Sequence, residues 1–87
     1  MIRFQYTIQD QIGLHARPVG LLAKTVATYQ DAKITISCGE QTADAKRIFA
    51  MMALQARQGD TITISVEGGD EQAIADAIRA VFLSEHL

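Results

Sequence analysis

The chain has 87 residues, room for one domain with a modest core and too few for two. Apolar residues make up 48%, which excludes a disordered chain, and a net charge of −2 gives no basic field for nucleic acid. The single cysteine, Cys38, excludes an intramolecular disulfide and a cysteine-based zinc site. No apolar run approaches the roughly 18 residues of a membrane span, and Met1 to Tyr6 alternates instead of forming a signal-peptide block. A soluble cytosolic protein without direct membrane insertion is expected. It should need no metal or cofactor, and no glycine-rich nucleotide loop predicts ATP binding.

Ile2, Phe4, Tyr6 and Ile8 alternate with Arg3, Gln5, Thr7 and Gln9, the pattern of a strand with one buried face. Asp10 to Gly13 reads as a turn. A helix should begin near Ala16, with Pro18 in its first turn, where a missing N–H loses no helical bond. Val19, Leu22, Ala23 and Val26 form its apolar stripe, and Lys24 lies on another face. Tyr29 to Ala32 ends it. Lys33 to Ser37 is a strand, Cys38-Gly39-Glu40 a tight turn and Gln41 to Ala43 a short partner strand. A second helix is predicted over Lys46 to Leu54, and a further strand over Thr61 to Val66. Asp70 is the candidate N-cap of the last helix, with Glu71 in its first turn and Ala73, Ile74, Ala77, Ile78 and Val81 on its stripe.

The order is β-α-β-β-α-β-α. It implies an α+β fold in which three helices cover one face of a four-stranded, mixed but mostly antiparallel sheet. The other face, bearing Arg3, Gln5, Thr7, Lys33, Thr35, Thr61 and Thr63, should be wet. One domain is expected over residues 1–87.

The stretch with chemistry is Gly13-Leu14-His15-Ala16-Arg17-Pro18. A neutral imidazole has a free ring nitrogen that can attack phosphorus. The transferred group brings a charge of roughly −2 that must be held. Backbone N–H groups at a helix start, here Ala16 and Arg17, are free donors, and the helix dipole favours an anion there. The Arg17 guanidinium adds a planar charged fork, and Gly13 allows a turn that brings the ring close. Taken alone, His15 also suits a surface helix cap, and Arg17 a solvated side chain. The residues by themselves leave both readings open.

That hexapeptide resembles the active-site signature of HPr, the histidine-containing phosphocarrier family of the sugar phosphotransferase system. The resemblance runs through Lys46 and the apolar helix after it, the strand from Gly59-Asp60, and Gly68-Gly69-Asp70-Glu71. It implies an open-faced β-sandwich, a monomer, and no enzyme in the ordinary sense. It also implies a relay in which enzyme I phosphorylates His15 at Nδ1, Arg17 assists, and a IIA domain or protein receives the group.

Ile48, Phe49, Met51, Met52 and Leu54 cannot all face one core from one helix. Met51 and Leu54 fit an inward stripe with Ile48 at its margin, while Phe49 and Met52 lie i,i+3 on another side. They form either a deeper core or a sticky partner surface, and the resemblance implies the second. Its expected contacts are Gly20, Lys24, Arg47, Ile48, Phe49 and Met52, with Lys24, Lys46 and Arg47 as a basic rim. In many relatives a serine that a regulatory kinase modifies follows the lysine; Arg47 stands there, and Ala45 to Gln58 contains no Ser, Thr or Tyr. Ile12 replaces the small or polar residue usual before the glycine, which removes a side-chain hydrogen bond near the ring.

Two rival readings are a regulatory binding module that does not relay, and a small hydrolase of acyl or phosphoryl bonds. Against the hydrolase, no water-activating carboxylate is evident close in sequence to His15. Glu85 is a candidate to approach the site. Cys38 reads as a loop or strand-end residue, and His86 as a solvated residue near the terminus.

Overall fold

The period-two stretches become four strands and the helical stripes three helices in a computed structural model that describes residues 1–87. In chain order these are β1 (Ile2–Thr7), α1 (Ala16–Ala27), β2 (Lys33–Cys38), β3 (Gln41–Asp44), α2 (Ile48–Met52), β4 (Thr61–Glu67) and α3 (Glu71–Ser84). The sheet order is β1-β4-β2-β3. Its three pairings are all antiparallel, with Phe4 opposite Ile64, Ile36 opposite Ile64 on the other side, and Ile36 opposite Ala43. The expected mixed sheet thus narrows to a wholly antiparallel one, because β4 enters between β1 and β2 and runs against both.

Alternation sends Phe4, Ile34, Ile36, Ile62, Ile64 and Val66 under the helices. The opposite face is wet as expected: Arg3, Gln5, Thr7, Lys33 and Thr61 are exposed, and Thr35 and Thr63 half-buried. From α1 come Val19, Leu22, Ala23 and Val26, the stripe read from spacing. On α3 the inward face is Ile74, Ala75, Ile78, Val81 and Phe82, whereas Ala73 is exposed and Ala77 half-buried. The stripe is turned toward Phe82, whose ring packs 4.7 Å from that of Tyr6 and 6.5 Å from that of Phe4. Asp70 does cap α3, accepting the Ala73 N–H at 3.2 Å.

The second helix is shorter than its sequence suggests. The Asp44 carboxylate accepts the Lys46 N–H at 2.9 Å and its carbonyl accepts the Arg47 N–H at 3.0 Å. This closed turn delays the helix to Ile48. Three-residue bonds from Leu54 to Met51 and from Gln55 to Met52 then tighten its end.

Lys46 is not part of a basic rim. Its ammonium donates to the Tyr29 carbonyl at 3.1 Å and the Ala32 carbonyl at 3.0 Å. It therefore satisfies acceptors just beyond the end of α1, where a cation also suits the dipole.

Candidate functional site

The loop from β1 to α1 is held from three directions. The Leu87 carbonyl accepts the Gln9 N–H at 2.6 Å and the Asp10 N–H at 2.8 Å. The Ala56 carbonyl accepts the Leu14 N–H at 3.1 Å, and the buried Leu14 side chain anchors the loop in the core. Within the loop, the Gly13 N–H closes onto the Asp10 carbonyl at 3.0 Å. Gly13 has a φ of +80°, and a side chain there would run into the Ala56 carbonyl. Both conditions demand glycine.

His15 follows as the N-cap of α1, in extended conformation, without a side-chain capping bond of its own. The first helical bond is donated by Val19 to the His15 carbonyl at 3.2 Å. Pro18 has no N–H, so the Ala16 and Arg17 amides are the free donors of this turn, and neither has a protein acceptor. The imidazole sits next to both in the chain.

Its two nitrogens have different surroundings. Nε2 lies 3.0 Å from Asp10 Oδ2. Nδ1 has no partner, and since no buried side-chain nitrogen or oxygen lacks one, Nδ1 is open to solvent. Asp10 is itself fixed, accepting the Ile12 N–H on Oδ1 at 2.8 Å. That bond first, and then the bond from His15, holds its carboxyl below the usual carboxylate range. The hydrogen bond near the ring that the Ile12 side chain cannot make is made by Asp10, while the Ile12 backbone holds Asp10 in place. The sequence offered no water-activating carboxylate close to His15, and the one that the fold brings to the ring, Asp10, is engaged with the ring itself and the Ile12 N–H. The signal was present as an Asp-x-x-Gly turn, but turn chemistry accounts for such an Asp by itself.

A cleft of ≈ 170 Å³ opens over the ring, lined by Asp10, His15, Arg17, Ser84, Glu85 and His86 together with Pro18. Glu85 reaches the site from the end of α3, with its Oε1 3.4 Å from Arg17 Nε. The Arg17 side chain is 83% exposed, so this ion pair is weakly held and the guanidinium can move to a stronger anion. His86 is exposed, as its sequence position suggests, but it borders the cleft. Cys38 ends β2 half-buried, and burial first, then the Asp60 charge, pushes its thiol up. It lies apart from the cleft lining.

On the helical side, Phe49 is 85% and Ile48 38% exposed. Met51 and Leu54 are buried as their spacing predicts. Met52 is only half outward, since it also packs against the core. Gly20 leaves open space above α1, and Lys24 and Arg47 are exposed.

An open sheet covered on one side by helices thus carries, at the start of α1, an imidazole tethered at the edge of an open cleft. The chain belongs to the HPr family of phosphotransferase-system phosphocarriers: the family model described as "PTS HPr component phosphorylation site" matches residues 2–84. It is 34% identical to the phosphocarrier protein HPr of Mycoplasma capricolum over all of this chain and 97% of that one. It is 40% identical to part of a multiphosphoryl transfer protein of Xanthomonas campestris, over 91% of this chain but 9% of that far longer protein. Among solved structures, the histidine-containing phosphocarrier of a Mycoplasma superposes with a TM-score of 0.92 at 33% identity, covering 97% of this chain and 94% of the other. No helix is long and apolar enough to cross a membrane.

Proposed function

We propose that this chain is a cytoplasmic monomer that relays a phosphoryl group from phosphorylated enzyme I to IIA domains or proteins of sugar transport, using His15 as the acceptor. The observation that carries the reading is the unpartnered Nδ1 of His15 at the N-cap of α1, followed directly in the chain by the unpartnered amides of Ala16 and Arg17. In the transfer, the Nδ1 lone pair attacks phosphorus and a new N–P bond forms. The donor's own bond to phosphorus breaks and leaves its electron pair on the donor atom. No proton needs to leave Nδ1. The arriving dianion takes the Ala16 and Arg17 amides, and draws the Arg17 guanidinium from Glu85. The second transfer runs the same step with a nucleophile of the IIA component, and the N–P bond breaks with its electron pair returning to Nδ1.

Docking is assigned to Gly20, Lys24, Arg47, Ile48, Phe49 and Met52. Support comes from the exposure of Phe49 and Ile48, apolar side chains that fold stability leaves unused. Phe49→Ala should therefore keep the fold, with an unchanged unfolding midpoint, and raise the KM for phosphorylated enzyme I about tenfold or more. A KM within twofold of wild type would remove Phe49 from this surface. A regulatory kinase of the serine type has no acceptor between Ala45 and Gln58, and Arg47 occupies the N-cap position of α2.

The test is to incubate the protein with phosphoenolpyruvate and a cognate enzyme I that is active on a known carrier. The expected product is an acid-labile adduct of about 80 Da, the mass of one phosphoryl group. No adduct under those conditions contradicts the proposal.

A further inference from the structure

His15 has two nitrogens able to attack phosphorus, and the reaction needs one of them chosen. The choice is made by what the other nitrogen does. An ionised carboxylate only accepts hydrogen bonds, so the 3.0 Å contact between His15 Nε2 and Asp10 Oδ2 requires the proton on Nε2. The lone pair then lies on Nδ1, the nitrogen open to solvent.

Asp10 is built for this contact. Oδ1 is taken by the Ile12 N–H, its backbone N–H is tied to Leu87 and its carbonyl accepts from Gly13. Its side chain is 19% exposed and that of His15 28%. Both carboxylate oxygens are engaged, so swinging the carboxylate away from the ring also breaks its bond to the Ile12 N–H.

We propose that Asp10 is a positioning residue: it holds His15 as the Nε2–H tautomer, aims Nδ1 at the incoming group, and balances the charge the ring acquires on transfer. This rests on the relay reading, since it names what prepares that same nucleophile. When Nδ1 bonds phosphorus while Nε2 keeps its proton, both nitrogens are substituted and the ring becomes cationic. The Asp10 carboxylate faces that charge directly. A ring kept protonated at Nε2 is also the better leaving group, which favours onward transfer over retention.

A substitution at Asp10 reports the tautomer as well as the loop. In Asp10→Asn a single oxygen must serve the Ile12 N–H. The amide NH2 then faces Nε2, which has to accept, and the ring proton moves to Nδ1 and blocks the nucleophile. Asp10→Ala removes the constraint and leaves the ring to its own mixture of tautomers. The prediction is therefore unusual in its order: the isosteric change should harm transfer more than truncation.

The experiment is a long-range 1H–15N spectrum of the His15 ring at alkaline pH, for wild type and both variants, with the rate of phosphorylation by enzyme I alongside. Expected are an Nε2–H ring in the wild type and an Nδ1–H ring in Asp10→Asn. The latter's rate should fall by roughly a hundredfold or more, as when a tautomer-setting carboxylate is amidated elsewhere, and fall further than in Asp10→Ala. An Nδ1–H ring in the wild type, or the same tautomer and rates within twofold in all three, overturns the inference. Loop damage alone would slow both variants without inverting the ring, and that result also overturns it. Should the wild type accept no phosphoryl group, the relay reading fails, while the ring spectra still decide the role of Asp10.

Discussion

His15→Ala is expected to take up no phosphoryl group from phosphorylated enzyme I while folding as the wild type does. The loss should be complete because no second imidazole can substitute. His86 borders the cleft, but it sits beyond the end of α3 with a φ of +53° and does not start a helix. The fold should survive because the His15 side chain makes one hydrogen bond, to Asp10, and is neither buried in the core nor the hydrogen-bonding cap of its helix. Asp10 loses its ring partner but keeps the Ile12 N–H and stays ionised. Intact-mass measurement gives the first result, and a denaturant midpoint the second. Uptake of a phosphoryl group by the variant would move the acceptor elsewhere in the chain. This substitution also separates the relay from a purely regulatory role, since a binding module would keep its activity without the imidazole.

Gly13→Ala should be the more damaging change to the fold, although it adds one methyl group. A non-glycine residue at φ +80° costs about 1–2 kcal/mol. The new Cβ must in addition displace the Ala56 carbonyl, which is the acceptor for Leu14. That carbonyl is backbone and cannot step aside as a side chain would. Together these effects amount to about 2–4 kcal/mol, a large part of the roughly 5–15 kcal/mol by which domains are stable. The loop that carries Asp10 and His15 is displaced first, so phosphorylation should slow even where the variant remains folded. Urea unfolding and a single-turnover transfer rate measure the two effects. A variant as stable as the wild type would mean that Gly13 does not hold this turn closed.

The legible part of this protein is what short-range patterns encode. Alternation in β1 and β4 and the stripe of α1 gave the element order, the buried face and the helix start at Ala16, because strand and helix periods depend only on neighbouring residues. The candidate stretch stood out for the same reason, since Gly13, His15, Arg17 and Pro18 lie within six residues. What escaped depends on distant partners. Lys46 reads as a surface cation until the end of α1 is brought beneath its ammonium. Asp10 reads as a turn residue until Leu87 and Ala56 close the loop and its carboxylate meets the ring. Glu85 reaches Arg17 only because α3 ends beside the start of α1. The wholly antiparallel sheet follows from placing β4 between β1 and β2, a pairing that no periodicity specifies.

Met52 marks a finer limit. Its spacing separates it from Met51, but as the last residue of a five-residue helix it still packs half-buried against the core. The outward apolar surface is therefore concentrated on Phe49 and Ile48, and any partner fitted to this side should read those two side chains first.

The most direct measurement is the position of the phosphoryl group on the 15N-labelled, phosphorylated protein, read from phosphorus–nitrogen coupling to the histidine rings. A bond to Nδ1 of His15 is expected, with the ring proton retained on Nε2. A bond to Nε2 of His15, to His86, or to a hydroxyl oxygen would contradict it.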